Sequence, residues 1–212
     1  FIAEAGVNHN GDRSSALELI DIAADAGADA IKFQTFTAKE LVTMSAPKAE
    51  YQIKNDLADE SHLKMLEKLE LNKDLQIELS DHAKKKNIEF MSTAFDIDNL
   101  DFLVNEAGMK INKIPSGEIT NAPLLIHHGR SSNKIILSTG MSGLEEIEMA
   151  LSAIAFGMFN DNEKPSLKAF KETYNSNKRR ARLKERVALL HCTSEYPAPI
   201  EDLNLRAIQT LS

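Results

Sequence analysis

The 212-residue sequence holds a single cysteine, Cys192, with three tyrosines and no tryptophan. One thiol excludes an internal disulfide framework, and the lack of a second cysteine excludes a Cys-rich zinc site. Both suit a reducing cytosol, and the chain is expected to be cytoplasmic. No apolar run approaches the roughly 18 to 20 residues that a membrane span requires. The opening FIAEAGVNHNGD lacks the basic-then-apolar order of a signal peptide, so no membrane role is expected. A first residue of Phe1 rather than Met, leading straight into a strand-like run, reads as a non-native start. Positive charge is also scarce, with 25 Lys and Arg against 32 Asp and Glu and a net charge of -7. Without a global positive field, no nucleic acid is expected as a partner, and an anionic substrate must be held by a few local cations. The six histidines include no HExxH and no pair at i, i+4. His127 and His128 face different ways, while His9 and His191 are read as structural.

What is present is an alternation of short β-like runs with helix-like stretches, six times over. The expected strands are Phe1 to Gly6, Asp29 to Phe36, Ile88 to Phe95, Lys110 to Glu118, Lys134 to Thr139 and Arg186 to Thr193. Asp12 and Asp96 sit as N-caps, Gly27 and Gly108 as stops, and Ser142 with Glu145 has capping-box spacing. Helices are expected near Ser61 to Glu70, from Leu75 to Lys86, for one or two turns near Leu124, and from Asp202. Strands alternating with helices predict an α/β fold with a parallel sheet buried on both faces. No GxGxxG or Walker loop follows the first strand, which disfavours a nucleotide-binding doubly wound sheet. A parallel β/α (TIM) barrel has eight units and about 250 residues, so about six of eight units are read here, with the C-terminal part missing. Asp161 to Arg186 has nine cations against four anions, leaving -12 on the rest of the chain. Residues 157–185 are read as an exposed charged insertion between the fifth helix and the sixth strand.

The informative pattern is what closes the strands. Glu4, then Asn8 and His9, end the first; Lys32 and Gln34 lie in the second; Ser92 and Thr93 end the third. Lys113, Ser116 and Glu118 occupy the fourth, Ser138 and Thr139 the fifth, and His191, Thr193, Ser194 and Tyr196 the sixth. Parallel strands put their carboxyl ends on one side, where ligands bind. Charged groups among Ile, Val and Phe cost desolvation unless paired or bound to something. Lys32 and Lys113, with the hydroxyls of Ser116, Ser138 and Ser194 and glycines at 6, 117 and 140, suit a phosphate or a carboxylate. Glu4 and Glu118 are candidate acid/base carboxylates, or each pairs a lysine. Lys32 and Gln34 share strand parity, as do Ser116 and Glu118, but Lys113 falls on the opposite phase, and a bulge at Pro115 would restore it.

Six ordered segments, AEAGVNHNGD, AGADAIKFQTF, MSTAFD, KIPSGEITN, LSTGM and LLHCTSEYPAP, resemble the sialic acid synthase family, with its legionaminic, pseudaminic and spore-coat polysaccharide relatives. The resemblance spans the whole chain. It implies condensation of phosphoenolpyruvate with N-acetylmannosamine or a related acetamido sugar to give a nonulosonic acid and phosphate. Further implications are a β/α barrel over residues 1–212, a C-terminal antifreeze-like domain absent from this sequence, a homodimer, and Mn2+ or Mg2+ with ligands outside this sequence. By position, Lys32, Lys113, Ser116, Ser138 and Ser194 match phosphoenolpyruvate contacts; some relatives have Asn where Ser194 stands. Glu4, Gln34, Thr93, Phe95 and Tyr196 match residues near the sugar, and Glu118 a carboxylate beside the reacting carbons, so Glu118, Lys32 and Lys113 are the catalytic candidates. The implied chemistry is attack by carbon 3 of phosphoenolpyruvate on a metal-polarised aldehyde, then addition of water at carbon 2 and loss of phosphate. Two other readings are a Schiff-base aldolase using Lys113 or Lys32 and a noncatalytic protein binding an acidic partner through the basic segment. The 212 residues alone are expected to be inactive.

Overall fold

The second strand shows how the pattern becomes structure. In Ala30–Thr35, AIKFQT, the side chains of Ile31, Phe33 and Thr35 are buried, whereas Lys32 and Gln34 alternate with them on the other face. The computed structural model describes residues 1–47, 61–131, 133–159, 162–193 and 198–212. They form two compact units, Phe1–Met109 and Lys110–Ser212.

The first unit contains β1 (Ile2–Gly6), β2 (Ala30–Thr35) and β3 (Glu89–Ala94), each parallel to its neighbour. Glu4 stands opposite Lys32, and Gln34 opposite Thr93. Helices α1 (Arg13–Asp25), α2 (Ala38–Leu41), α3 (His62–Glu67), α4 (Lys73–Lys85) and α5 (Ile97–Asn105) follow the strands. The expected caps are in place: Asp12 accepts from the Ser15 amide at 2.7 Å and Asp96 from the Asn99 amide at 2.7 Å. Hydrogen bonds from Ser14 and Ser15 hold the Asp12 carboxyl down to about 2. Gly27 and Gly108 adopt φ of +76° and +71°, the left-handed geometry that ends a helix. Phe33 stacks on Phe90 with ring centroids 5.9 Å apart, packing the helix-facing side of β2 and β3.

The second unit contains β4 (Ile111–Ile114), β5 (Lys134–Ser138) and β6 (Val187–Leu190), again parallel. Its helices are α6 (Ala122–Arg130), α7 (Leu144–Phe159), α8 (Leu167–Tyr174), α9 (Asn177–Arg186) and α10 (Ala207–Leu211). Ile114, Ile135 and Leu137 face the helices and join Leu125, Ile154, Phe156, Phe170 and Leu183 in one core. The fourth strand ends at Ile114, four residues before the expected boundary, and Ser116–Glu118 forms a 3-10 turn. Helix α6 is longer than the short helix expected near Leu124, because Asn121 caps it and Pro123 lies in its first turn. The capping box is displaced by one residue: Glu146 accepts from the Gly143 amide at 2.8 Å, while the Ser142 hydroxyl bonds to the Gly140 carbonyl.

The basic segment lies between α7 and β6 as a pair of mostly exposed helices with an apolar side. Phe170 meets Phe156 edge-on at 5.1 Å, and Ala169, Thr173 and Leu183 are buried. Arg179 and Arg180 lie over Phe159 and Tyr174, and Arg186 donates to the carbonyl oxygens of Ser131 and Asn133. These contacts use the long stems and flat guanidinium groups as packing surface.

Helices α6 and α7 cross closely. A Cβ on Gly129 would overlap the Ile154 carbonyl oxygen, and one on Gly157 the Ile126 carbonyl oxygen. Gly157→Ala is therefore expected to cost about 1 to 3 kcal/mol of unfolding free energy from overpacking, read as a lower urea midpoint; an unchanged midpoint would contradict the close crossing. Beside Gly129, the His128 ring is fully buried, neither of its nitrogens has a hydrogen-bond partner among the described residues, and burial pushes its pKa down to about 3. The folded chain keeps it neutral while the unfolded chain takes up a proton near 6.5. Stability is then full above pH 6.5 and falls as pH drops toward 3. Between pH 7 and pH 5 the loss from this group should be roughly 2 kcal/mol, and His128→Leu should remove it. Parallel losses in both proteins would exclude His128 as the cause.

Candidate functional site

In the first unit the carboxyl ends of the strands carry a connected polar group. The Lys32 side chain, 11% exposed, is ion-paired through Nζ to the Glu4 carboxylate on the neighbouring strand. Glu4 thus takes the lysine-pairing role weighed for it from the sequence, and it supplies the charge that makes a mostly buried ammonium tolerable. Gly6, at φ +54°, follows a register shift in β1. A Cβ there would stand 3.3 Å from Glu4 Oε1 and 3.9 Å from Gln34 Nε2, so Glu4 and Gln34 converge beside this glycine. Thr93 lies opposite Gln34 on the same face of the sheet and is buried. Phe95 packs edge-on against Phe36 at 6.2 Å in a cluster with Val7 and Leu66.

Not every polar strand end points this way. The Thr35 hydroxyl donates to Gln76 Oε1 at 2.5 Å and receives a hydrogen bond from the Ser92 hydroxyl at 2.7 Å, while Gln76 Nε2 donates to the Leu71 carbonyl at 2.9 Å. Ser92 therefore belongs to a buried network that ties β2 and β3 to α4. Thr139 donates to the Leu190 carbonyl at 2.9 Å, and His191 is hydrogen-bonded to the Leu203 carbonyl at 2.8 Å.

In the second unit Lys113 is 8% exposed, lies on the face of β4 opposite Ile114, and donates from Nζ to the Ile114 carbonyl at 3.0 Å. Its strand neighbour is Ile136, and Ser138 follows on the same face of β5. The phase conflict read from the sequence disappears because Ser116 and Glu118 belong to the 3-10 turn after the strand and no longer obey its alternation. Pro115 is extended and marks the strand's end rather than a bulge. A Cβ on Gly140 would come within 3.2 Å of the Ser116 hydroxyl, so the loops after β4 and β5 pack together there, while a Cβ on Gly117 would meet open space. Glu118 Oε2 accepts a hydrogen bond from Asn121 Nδ2 at 2.7 Å, a contact to a residue that the sequence reading had not singled out. The signal for it was the cap position of Asn121 ahead of Pro123. Ser194 and Tyr196 lie outside the described residues.

Among the described residues no group of three or more His, Cys, Asp or Glu side chains could hold a metal ion. His9 Nδ1 accepts from the Gly11 amide at 3.0 Å, and His191 is engaged as above. The described residues thus form no cluster for the divalent ion, whose ligands the resemblance places outside this sequence. No helix among them is long and apolar enough to cross a membrane. A groove of about 640 Å³ is lined by Leu151, Leu183, Val187, Leu189 and Leu211, on the helix side of β6, away from Lys113 and Ser138.

The NeuB family model matches residues 19–212. The chain belongs to the NeuB family. It is 50% identical over all of its length to N,N'-diacetyllegionaminic acid synthase of Campylobacter jejuni, covering 56% of that protein, and 46% identical to the enzyme of the same name from Legionella pneumophila, covering 53%. The chain thus spans about half the length of the curated relatives it matches. Among solved structures, N-acetylneuraminic acid synthetase of Leptospira borgpetersenii, in complex with citrate, is similar with a TM-score of 0.75 and 37% identity, over 99% of this chain and 59% of that one. The expected fold class holds for this NeuB chain: parallel strands alternate with helices in the TIM-barrel-like manner of its relatives.

The Glu4–Lys32 pair generates a direct test. Glu4→Gln leaves a mostly buried ammonium without its counter-charge, whereas adding Lys32→Met removes the charge as well. The single variant is expected to lose about 1 kcal/mol, moderated by the half-exposed carboxylate, and the double variant to recover it. Equal urea midpoints for the two variants would contradict the pairing.

Proposed function

We propose that the protein to which this chain belongs condenses phosphoenolpyruvate with a 6-deoxy diacetamido sugar to form a legionaminic-type nonulosonic acid and phosphate. The observation that carries this reading is the 50% identity, over the chain's whole length, to a diacetyllegionaminic acid synthase. Identity to pseudaminic acid synthase of the same species is 29%, and to N-acetylneuraminate-9-phosphate synthase of Drosophila melanogaster 30%. Lys32, Lys113, Ser116, Ser138 and Ser194 hold the phosphate and carboxylate of phosphoenolpyruvate, and Glu4, Gln34, Thr93, Phe95 and Tyr196 contact the sugar. The same reading makes the whole protein a cytoplasmic homodimer, dependent on Mn2+ or Mg2+ bound by residues beyond these, with residues 1–212 as its synthase domain.

The reaction forms one bond from carbon 3 of phosphoenolpyruvate to the sugar aldehyde carbon, and the aldehyde oxygen takes up a proton. Water adds at carbon 2 and gives up a proton, and cleavage of the carbon 2–oxygen bond releases phosphate. Lysines suit this chemistry because charge moves from a phosphate ester to free phosphate, and a nearby cation stabilises that charge. Glu118 guides the water or a proton in the second step. A Schiff-base route suits Lys32 less well, since its ammonium is already committed to Glu4.

The deciding assay is phosphate release by the full-length protein with added Mn2+ and a panel of acetamido sugars. The legionaminic precursor is expected to react fastest; release that is equal or faster with N-acetylmannosamine would overturn the sugar assignment. Glu118→Gln is expected to lower kcat by at least 100-fold, as the loss of an acid/base group does, while KM for phosphoenolpyruvate changes little. Unchanged kcat would reject the role of Glu118.

A further inference from the structure

We propose that Asn121 is a positioning residue for Glu118, holding its carboxylate in the orientation that the proton transfer needs; this rests on the role proposed above for Glu118. The backbone between them is tightly constrained. The Glu118 amide donates to the Pro115 carbonyl at 3.1 Å, and the Asn121 amide donates to the Glu118 carbonyl at 2.9 Å. The Asn121 side chain then does two things at once. Its Oδ1 accepts from the Leu124 amide at 3.3 Å as the N-cap of α6, and its Nδ2 donates to Glu118 Oε2 at 2.7 Å.

The amide plane couples these two bonds. Once helix α6 fixes Oδ1, the position of Nδ2 follows, and the reverse orientation would set oxygen against a carboxylate and NH2 against an N–H. The hydrogen bond to an ionised acceptor is of the strong, short kind. Only one carboxylate oxygen is used in this way. Among the described residues Oε1 receives no hydrogen bond or ion pair. The start of helix α6 thus aims one oxygen of Glu118 by holding the other. A residue that served only as a cap would not need to reach the carboxylate.

The two roles separate experimentally, because aspartate caps a helix as well as asparagine but has no NH2 to donate. In the full-length protein, Asn121→Asp, whose second oxygen would stand against the Glu118 carboxylate, is expected to lower the thermal midpoint, to lower kcat at least tenfold, and to change KM for phosphoenolpyruvate by less than twofold. Asn121→Ser, which keeps a capping oxygen but cannot reach Glu118, should show the same division between kcat and KM if the first variant folds poorly. In a Glu118→Gln background, Asn121→Asp should lower kcat less than twofold further. Wild-type kcat in both Asn121 variants, or an equal loss with and without Glu118, would overturn the assignment. Wild-type kcat in Glu118→Gln alone would instead reject the role of Glu118 on which it depends.

Discussion

A cation placed within a parallel sheet is tolerable only where something answers its charge, and this constraint organises the carboxyl ends of the strands. Lys32 and Lys113 extend from strands whose other side chains are largely apolar. Each has a stated compensation: Glu4 for Lys32, and the Ile114 carbonyl for Lys113. Neither arrangement is economical for stability alone, since packed apolar side chains serve a core at least as well as a buried ion pair. The role proposed for them in holding an anion accounts for such residues where a sheet would otherwise carry Val or Ile.

The supporting structure keeps these groups in place by simpler means. The Thr35, Ser92 and Gln76 network locks β2 and β3 to the helix behind them, which fixes Lys32, Gln34 and Thr93 on the opposite face. Ile114 and Leu137 do the same for β4 and β5 through packing, leaving Lys113 and Ser138 to the other side. Strand alternation converts each buried contact on the helix face into an orientation on the opposite face. Where alternation stops, the 3-10 turn and the cap at Asn121 take over the task for Ser116 and Glu118.

Much of this was legible in the sequence, because strand and helix periodicity, the caps at Asp12 and Asp96, and the stops at Gly27 and Gly108 depend on local chemistry. The charged residues near the strand ends were equally plain. What was not legible depends on which hydrogen bond wins among neighbours. Parity applied past Ile114 misplaced Lys113 relative to Ser116, since nothing in KIPSGE marks the point at which a strand becomes a 3-10 turn. Ser92 reads as a site hydroxyl until Gln76, sixteen residues earlier, is seen to claim it through Thr35. The basic segment Asp161 to Arg186 reads as solvated, yet two of its guanidinium groups, Arg179 and Arg180, lie over Phe159 and Tyr174, which composition cannot foretell.

The proposed function of this NeuB family member turns on one claim: Lys32 and Lys113 bind a phosphorylated acid. Calorimetric titration of the full-length protein, Lys32→Met and Lys113→Met with phosphoenolpyruvate tests that claim most directly. The account predicts that each variant stays folded and loses at least tenfold in affinity, about 1.4 kcal/mol or more. Folded variants that both bind phosphoenolpyruvate as tightly as the unsubstituted protein would contradict it.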